Sequence, residues 1–208
     1  FIDAYVAIRN IFAKTKEGRL RKKAPRDFSF NVDGGCCDEC KGDGRIKVEM
    51  HFLADMYVQC EACQGTRFKK EILEIRYNGK NIHEVLQMTV DEAIDFFADV
   101  PRILKKINIL KDVGLGYLKL GQPAPTLSAG EAQRLKLALE LNQANRTNVL
   151  FLFDEPTVGL HYHDIRALMQ SLEKLLERGN SIVMIEHNME VIKCADYIID
   201  LGPEGGEK

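Results

Sequence analysis

An acidic pair at the end of an apolar run is the first place where this sequence could do chemistry. The run Val149 to Phe153 (VLFLF) leads directly into Asp154 and Glu155. A carboxylate at the end of a buried strand can hold Mg²⁺ through water, and a neighbouring carboxylate can accept a proton from the attacking water. The pattern therefore predicts a nucleotide-hydrolysing site in which Asp154 serves the metal and Glu155 is the base.

A loop that holds phosphate is expected on the N-terminal side of such a pair, and the sequence lacks it. The pattern Gly, four residues, Gly, Lys and Ser or Thr occurs nowhere in the 208 residues. Gly79-Lys80 comes closest, but Asn81 follows it. The chain thus carries the acidic half of a nucleotide site without the half that holds phosphate.

A histidine follows the next apolar run, in Ile185-Glu186-His187-Asn188. If the two runs are parallel strands, the acidic pair and His187 reach the same carboxyl edge of the sheet, where ligands bind in such folds. A single histidine is more often structural, but the shared edge favours a contact between His187 and the γ-phosphate.

The segment TLSAGEAQRLKLALEL, Thr126 to Leu141, predicts a capped helix that could bind an anion. Ser128 and Glu131 have the spacing of a capping box, and Gly130 lets the backbone approach a ligand. The amides of the first turn and the helix dipole behind them favour negative charge. An ordinary capped amphipathic helix is the alternative.

Five of the six cysteines fall between Cys36 and Cys63, which predicts a metal module. Two C-x-x-C pairs, Cys37 with Cys40 and Cys60 with Cys63, can supply the four thiolates of a structural Zn²⁺ site with no open position. Free buried cysteines are the alternative. Cys36 could compete with Cys37, but two intervening residues suit a zinc knuckle better. Cys194 is expected in the core of a helix.

Helical and strand patterns surround these sites. Thr89 and Glu92 form a capping box, and Pro101 begins a helix through about Asp112. From residue 147 the order is strand, helix, strand, which predicts a parallel α/β sheet covered on both faces. The predicted strands are Val149–Phe153, Ser181–Ile185 and, as a possible third, Tyr197–Leu201.

Composition sets limits on the class of protein. The formal net charge of -2 gives no global attraction to nucleic acid, so the basic run between Lys14 and Arg26 is either a local phosphate-contacting patch or a solvated face. No apolar run approaches the roughly 20 residues that span a bilayer. Clustered cysteines without a secretory signal predict a reducing, cytoplasmic location. The start at Phe1 suggests an excised segment.

The order LSAGE, VLFLFDEPTVGL and IEHN resembles the ATP-binding cassette family: signature motif, Walker B with its catalytic glutamate, and switch histidine. Two departures are Ala129, where the signature usually has Gly, and His161, where Asp usually follows GL. The segments FSFNVDGGCCDECKGDGRIKVEMHFLADMYVQCEACQGTRF and IEHNMEVIKCADYIIDLGPEGG extend the match. With them, nearly the whole chain is similar to the UvrA family, the damage-recognition ATPases of bacterial nucleotide excision repair.

This resemblance implies a fold, a function and partners. The fold is a P-loop-type cassette portion with a parallel sheet, a helical signature region and an inserted four-cysteine zinc module. The intact ATPase would use ATP and Mg²⁺, bind damaged duplex DNA, form a homodimer and load UvrB. Ser128, Gly130 and Glu131 would serve the nucleotide of the other cassette, and Asp154, Glu155 and His187 that of a phosphate loop upstream of Phe1.

Three alternative functions stay open beside that of a damage-recognition ATPase. CDECKGDG fits the zinc repeat of DnaJ-type chaperones, a UvrA-like paralogue in antibiotic self-protection shares these motifs, and chromosome-maintenance ATPases also have separated halves. The DnaJ-type alternative needs four repeats, and the chromosome-maintenance alternative needs long heptad segments that are not seen.

The main interpretation predicts four parts of the chain: a lead-in (1–30), a zinc module (31–72), a helical signature region (73–146) and a cassette portion (147–208).

Overall fold

The computed structural model describes residues 4–49, 56–142 and 147–202. Two compact units are present: Phe1–Lys111 with Gly116–Pro123, and Asp112–Leu115 with Ala124–Lys208. The division into four parts stays a prediction. Residues 50–55 and 203–206 of the quoted motifs lie outside the described residues.

The first unit is mainly helical, with two short hairpins. Its elements are α1 (Ala4–Lys14), α2 (Lys16–Leu20), a 3-10 turn (Pro25–Phe28), β1 (Arg45–Val48), β2 (Met56–Gln59), α3 (Lys70–Leu73), β3 (Arg76–Tyr77), β4 (Lys80–Asn81), α4 (Ile82–Gln87), α5 (Val90–Phe96) and α6 (Pro101–Asp112). The strand pairs β1–β2 and β3–β4 are both antiparallel.

The core of the first unit is aromatic and aliphatic. Phe12 packs against Phe28 and Tyr77, and Tyr77 stacks on Phe97. Tyr77 can reach this core because β3 and β4 turn through Asn78 and Gly79, both with positive φ, the geometry that suits a two-residue hairpin. The capping box of Thr89 with Glu92 is confirmed, and so is the helix from Pro101 to Asp112.

The second unit is a strand–helix–strand arrangement preceded by a long helix. Its elements are a 3-10 turn (Ala124–Thr126), α7 (Ala129–Asn142), β5 (Leu150–Asp154), α8 (Tyr162–Leu176), β6 (Ser181–Ile185) and α9 (Met189–Ile192). β5 and β6 are parallel, with Leu150 opposite Ser181 and Asp154 opposite Ile185. The predicted parallel α/β order is therefore confirmed.

The apolar stripe of α8 supplies the core of the second unit. Leu168, Leu172 and Leu175 are buried, and Phe153 of β5 is buried as well. The helix ends as predicted, because Gly179 adopts a positive φ and the Asn180 side chain donates to the carbonyl of Leu175.

Coverage of the sheet on both faces was expected, and that expectation is wrong for the described residues. Leu150 and Leu152 of β5 are 57% and 70% exposed, and Val183 and Ile185 of β6 are 53% and 57% exposed. Successive side chains of a strand point to opposite faces, so these four lie on one face. The described part of the chain covers only the other face.

Two further expectations are wrong. Residues 197–201 form no strand, and Tyr197, Ile199 and Leu201 are each more than 70% exposed. A strand needs a hydrogen-bonded neighbour, and the parallel sheet has only two strands among the described residues. Cys194 is exposed rather than in the core, because α9 ends at Ile192. Among the helices of the described ranges, none is long and apolar enough to cross a membrane.

Candidate nucleotide and metal sites

The acidic pair and the histidine lie at one edge of the parallel strand pair. Asp154 is the last residue of β5 and is exposed, and Glu155 begins the loop that follows it. The Glu155 N–H donates to the carbonyl of Ile185 at 2.9 Å, a bond that belongs to the last pair of the parallel ladder, Asp154 with Ile185. The loops after both strands therefore start from a fixed common edge.

Glu155 and His187 are in contact. The Nε2 atom of His187 lies 3.1 Å from Oε1 of Glu155, and the two side chains are 79% and 45% exposed. Such a solvent-open pair adds little to stability, about 0–1 kcal/mol. It does place a carboxylate and an imidazole within reach of the same small molecule.

Glu155 adopts a strained backbone conformation. Its φ is +43°, in the left-handed region that costs a residue with a Cβ about 1–2 kcal/mol. Strain of this kind persists where surrounding contacts hold it, and it concentrates at functional sites. Here the hydrogen bond from the Glu155 N–H to the carbonyl of Ile185 holds the backbone of Glu155 in place.

Helix α7 begins with the predicted capping box. The Ser128 Oγ accepts from the N–H of Glu131 at 3.2 Å, and the Glu131 carboxylate accepts from the N–H of Ser128 at 2.7 Å. Ser128 is exposed and Gly130 is half-buried, so the first turn of this helix is open to solvent. A helix N-terminus of this kind favours an anion.

Two residues of α7 that the sequence interpretation missed hold the end of β5. When the Gln133 amide is oriented to satisfy both partners, its oxygen accepts from the Asp154 N–H at 2.8 Å and its nitrogen donates to the Asp154 carbonyl at 2.9 Å. The Arg134 guanidinium is buried and donates to the carbonyls of Pro156 at 3.0 Å and Val158 at 3.5 Å. Helix α7 thus fixes the backbone on both sides of Glu155.

A periodic signal for Arg134 exists in the sequence. It falls on the same helical face as Gly130, Leu137 and Ala138, three to four residues apart, and the last two are buried. A Cβ on Gly130 would meet Arg134 Nη1 at 3.3 Å, so this glycine leaves room for the guanidinium. An arginine on a buried face indicates a partner for its charge, but the partner carbonyls give no signal in the sequence.

Replacement of Arg134 by Ala is expected to lower the free energy of unfolding of the second unit by about 2–4 kcal/mol. The change removes charge-assisted hydrogen bonds to the carbonyls of Pro156 and Val158 and leaves a cavity at a buried position. Urea unfolding measures the effect, with Lys136→Ala as the matched control, since Lys136 is exposed on the same helix. Equal destabilisation by both changes would show that Arg134 does not hold the loop.

The four cysteines of the two C-x-x-C pairs come together in the first unit. Their sulfurs all lie within 4.8 Å of one another, and all four residues are buried. Sγ of Cys37 is 3.9 Å from that of Cys60, and Sγ of Cys40 is 3.6 Å from that of Cys63. A zinc tetrahedron with bonds of about 2.3 Å has edges of about 3.8 Å. The four thiols therefore fit a tetrahedral metal ion.

The two pairs have matching backbone turns. After Cys40, positive φ values occur at Lys41, Gly42 and Gly44, and after Cys63 they occur at Gln64, Gly65 and Arg67. The Gly44 N–H donates to Sγ of Cys40 at 3.2 Å, the kind of backbone contact that stabilises a thiolate. Two similar turns thus face each other across the four sulfurs.

Burial makes two of the four thiols poor anions without a cation. It raises the pKa of the Cys40 thiol to about 12 and also raises the pKa of Cys63, whereas the backbone N–H of Cys63 lowers the pKa of Cys60. Metal binding must deprotonate these groups, and the ion supplies the compensating charge. Cys36 is buried beside the cluster but is outside the group of four sulfurs.

The fold and these sites define a class of protein. A parallel α/β portion, a capped helix that precedes it and a four-cysteine module are the parts expected of a segment of an ATP-binding cassette protein. No family model matches the chain.

Curated proteins and a solved structure are similar to the chain over nearly all of its length. UvrABC system protein A of Aquifex aeolicus is 61% identical over 208 residues, and that of Thermus thermophilus is 56% identical over the same length. The crystal structure of UvrA2 from Deinococcus radiodurans superposes with a TM-score of 0.87 and 47% identity, over 97% of this chain and 25% of that one. The chain belongs to the UvrA family. It spans 22% of the length of the curated relatives it matches.

Proposed function

We propose that this chain supplies the signature, Walker B and zinc module of the second cassette of a DNA damage-recognition ATPase in nucleotide excision repair. The observation that carries the proposal is the contact between Glu155 and His187, 3.1 Å apart at the carboxyl edge of the parallel strands. The similarity to UvrABC system protein A over 208 residues supports the repair role.

In the intact protein, three residues of the carboxyl edge act on one nucleotide. Asp154 is exposed at the end of β5 and holds Mg²⁺ through water. Glu155 takes the proton of the attacking water, and His187 contacts the γ-phosphate beside it. ATP supplies the phosphoryl group that is transferred to water.

The start of α7 serves the nucleotide of the other cassette. Ser128, Gly130 and Glu131 belong to a partly exposed first turn, and the N-terminus of this helix favours phosphate. Ala129, which stands where the family has Gly, is exposed.

The exposed apolar face of the parallel strands supports the proposal that this chain is part of a larger cassette. Leu150, Leu152, Val183 and Ile185 expose a contiguous apolar strip, and apolar strips of this kind mark surfaces that another element covers. The missing phosphate-loop portion of the same cassette is the element that we propose covers it.

Zn²⁺ held by Cys37, Cys40, Cys60 and Cys63 is structural, since four thiolates leave no position for a substrate. The module presents the hairpin of β1 and β2, whose residues are all exposed and include Arg45 and Lys47. We propose that the intact protein contacts damaged duplex DNA, forms a homodimer and engages UvrB.

Genetic complementation tests the repair role against the antibiotic-resistance alternative. The intact gene should restore ultraviolet survival to a bacterium that lacks its own UvrA, and the Glu155→Gln gene should not. Restored antibiotic tolerance without restored ultraviolet survival would instead identify a self-protection paralogue. The DnaJ-like alternative predicts that neither ultraviolet survival nor antibiotic tolerance depends on Glu155.

The 208-residue chain alone is expected neither to bind ATP with micromolar affinity nor to hydrolyse it. Most contacts to a triphosphate come from the phosphate loop and its Lys, and the sequence contains no such loop. Asp154 and Glu155 repel phosphate unless Mg²⁺ and that loop neutralise it. Calorimetry with Mg-ATP and a phosphate-release assay measure this, and saturable micromolar binding would contradict the half-site interpretation.

A further inference from the structure

The carboxylate of Glu186 joins the loop after β5 to the loop after β6. Its Oε1 accepts from the N–H and the hydroxyl of Thr157, at 3.0 and 2.6 Å. Its Oε2 accepts from the N–H groups of His187 and Asn188, at 3.1 and 3.2 Å. One side chain therefore holds the backbone on both sides of the candidate nucleotide site.

These four hydrogen bonds use the accepting capacity of the group. A carboxylate has two oxygens and about four lone-pair sites. With all four engaged, Glu186 has no oxygen directed to a metal ion or to an attacking water. Its chemistry differs in this respect from that of Glu155, which lies one strand away and is 45% exposed.

The location of His187 depends on its backbone. The imidazole is 79% exposed, so packing against neighbours does not fix it. The placement of the Glu155 side chain also depends on its backbone, because contacts from other residues must hold the loop at its left-handed φ. Contacts that fix the two backbones relative to each other therefore decide whether these side chains meet.

We propose that Glu186 is a positioning residue that aligns Glu155 with His187. Through Thr157 it fixes the loop two residues beyond Glu155, and through two N–H groups it fixes the turn that carries His187. The Glu155 N–H to Ile185 carbonyl bond starts the alignment, and Glu186 continues it past the end of the strands. This inference rests on the function proposed above, since it assigns a role within the same site.

The arrangement also predicts how conservative changes behave. In Glu186→Gln one carboxylate oxygen becomes an NH₂ group, which faces N–H donors in one of the two loops and cannot accept from them. Glu186→Ala removes both connections. Thr157→Val keeps the size of the side chain but removes only its hydroxyl bond, so its effect is expected in the same direction and smaller.

Kinetics of the intact protein provide the first test. We expect Glu186→Ala to lower kcat for ATP about tenfold to a hundredfold while KM stays nearly unchanged, because misplacement of reacting groups affects the transition state more than ground-state binding. Glu190→Gln is the matched control, since that carboxylate contacts Lys193 on the exposed face of the next helix. Its kcat should equal that of the wild type.

A readout that does not depend on turnover separates this inference from the proposed function. In the ¹³C-histidine spectrum of the 208-residue chain, the His187 resonance is assigned by its loss in His187→Gln. We expect it to move in Glu186→Ala, to move less in Thr157→Val and to stay in place in Glu190→Gln.

The outcomes are distinct. A shifted His187 resonance with a lowered kcat supports the positioning role. A shifted resonance in the 208-residue chain, together with no ATP hydrolysis by the intact wild-type protein, removes the proposed ATPase function and leaves the alignment supported. An unchanged His187 resonance in both Glu186→Ala and Thr157→Val overturns the inference, whatever the effect on kcat.

Discussion

Replacement of Glu155 by Gln in the intact protein is expected to lower ATP turnover at this site about 100- to 10,000-fold. The change keeps the shape of the side chain and removes its ability to take a proton from water. ATP binding should be retained, because the contacts that hold the ground state are unchanged. A single-turnover hydrolysis assay and a binding titration measure the two effects separately.

ATP hydrolysis by the other cassette would mask the effect. The rates are therefore to be compared in a background in which the base of the first cassette has already been substituted. Glu173→Gln is the matched control, because Glu173 is an exposed carboxylate on α8 in the same unit. Unchanged hydrolysis in Glu155→Gln would remove Glu155 from the role of base, and loss of ATP binding would show a ground-state role instead.

Replacement of Cys60 by Ser is expected to abolish tight zinc binding and to unfold the four-cysteine module. A structural zinc site contributes about 10–16 kcal/mol of apparent binding energy in small zinc modules, and the short strands β1 and β2 bury none of their residues. Elemental analysis should find one zinc per chain in the wild type and almost none in the variant. Circular dichroism should show a matching loss of structure.

Neighbouring cysteines provide controls of graded severity. Cys194→Ser changes an exposed thiol outside the module and should leave zinc content at one per chain. Cys36→Ser changes a buried thiol next to the cluster and should also retain the metal. Normal zinc content in Cys60→Ser would contradict the four-ligand site. Loss of zinc in Cys36→Ser with retention in Cys37→Ser would show that Cys36, and not Cys37, is the ligand.

The local features of both sites could be predicted from the sequence because each depends on residues close together in the chain. The capping boxes of Thr89 and Ser128 are fixed by a spacing of three residues. The apolar runs predicted the parallel strands β5 and β6, and the stripe of Leu168, Leu172 and Leu175 predicted α8. Strand order then implied that Glu155 and His187 share an edge.

Coverage of surfaces could not be predicted in this way. An apolar strand is the same in sequence whether its second face meets another part of the protein or solvent, and Leu152 and Val183 are exposed in this chain. Residues 197–201 have the composition of a strand but no partner among the described residues. Propensity describes a segment, whereas a strand requires a neighbour that supplies hydrogen bonds.

The sequence by itself determined which groups could do chemistry: the four cysteines, the acidic pair and the histidine. Only the tertiary structure decided how these groups are held, through Gln133 and Arg134 on the end of β5 and through Glu186 between two loops. The physical reason is that Gln133 and Arg134 bond to backbone groups distant in the chain, and that Glu186 reaches Thr157, 29 residues away, besides the N–H groups of the two residues that follow it. Every residue except proline offers the same N–H and carbonyl, so the sequence gives no sign of which one is chosen.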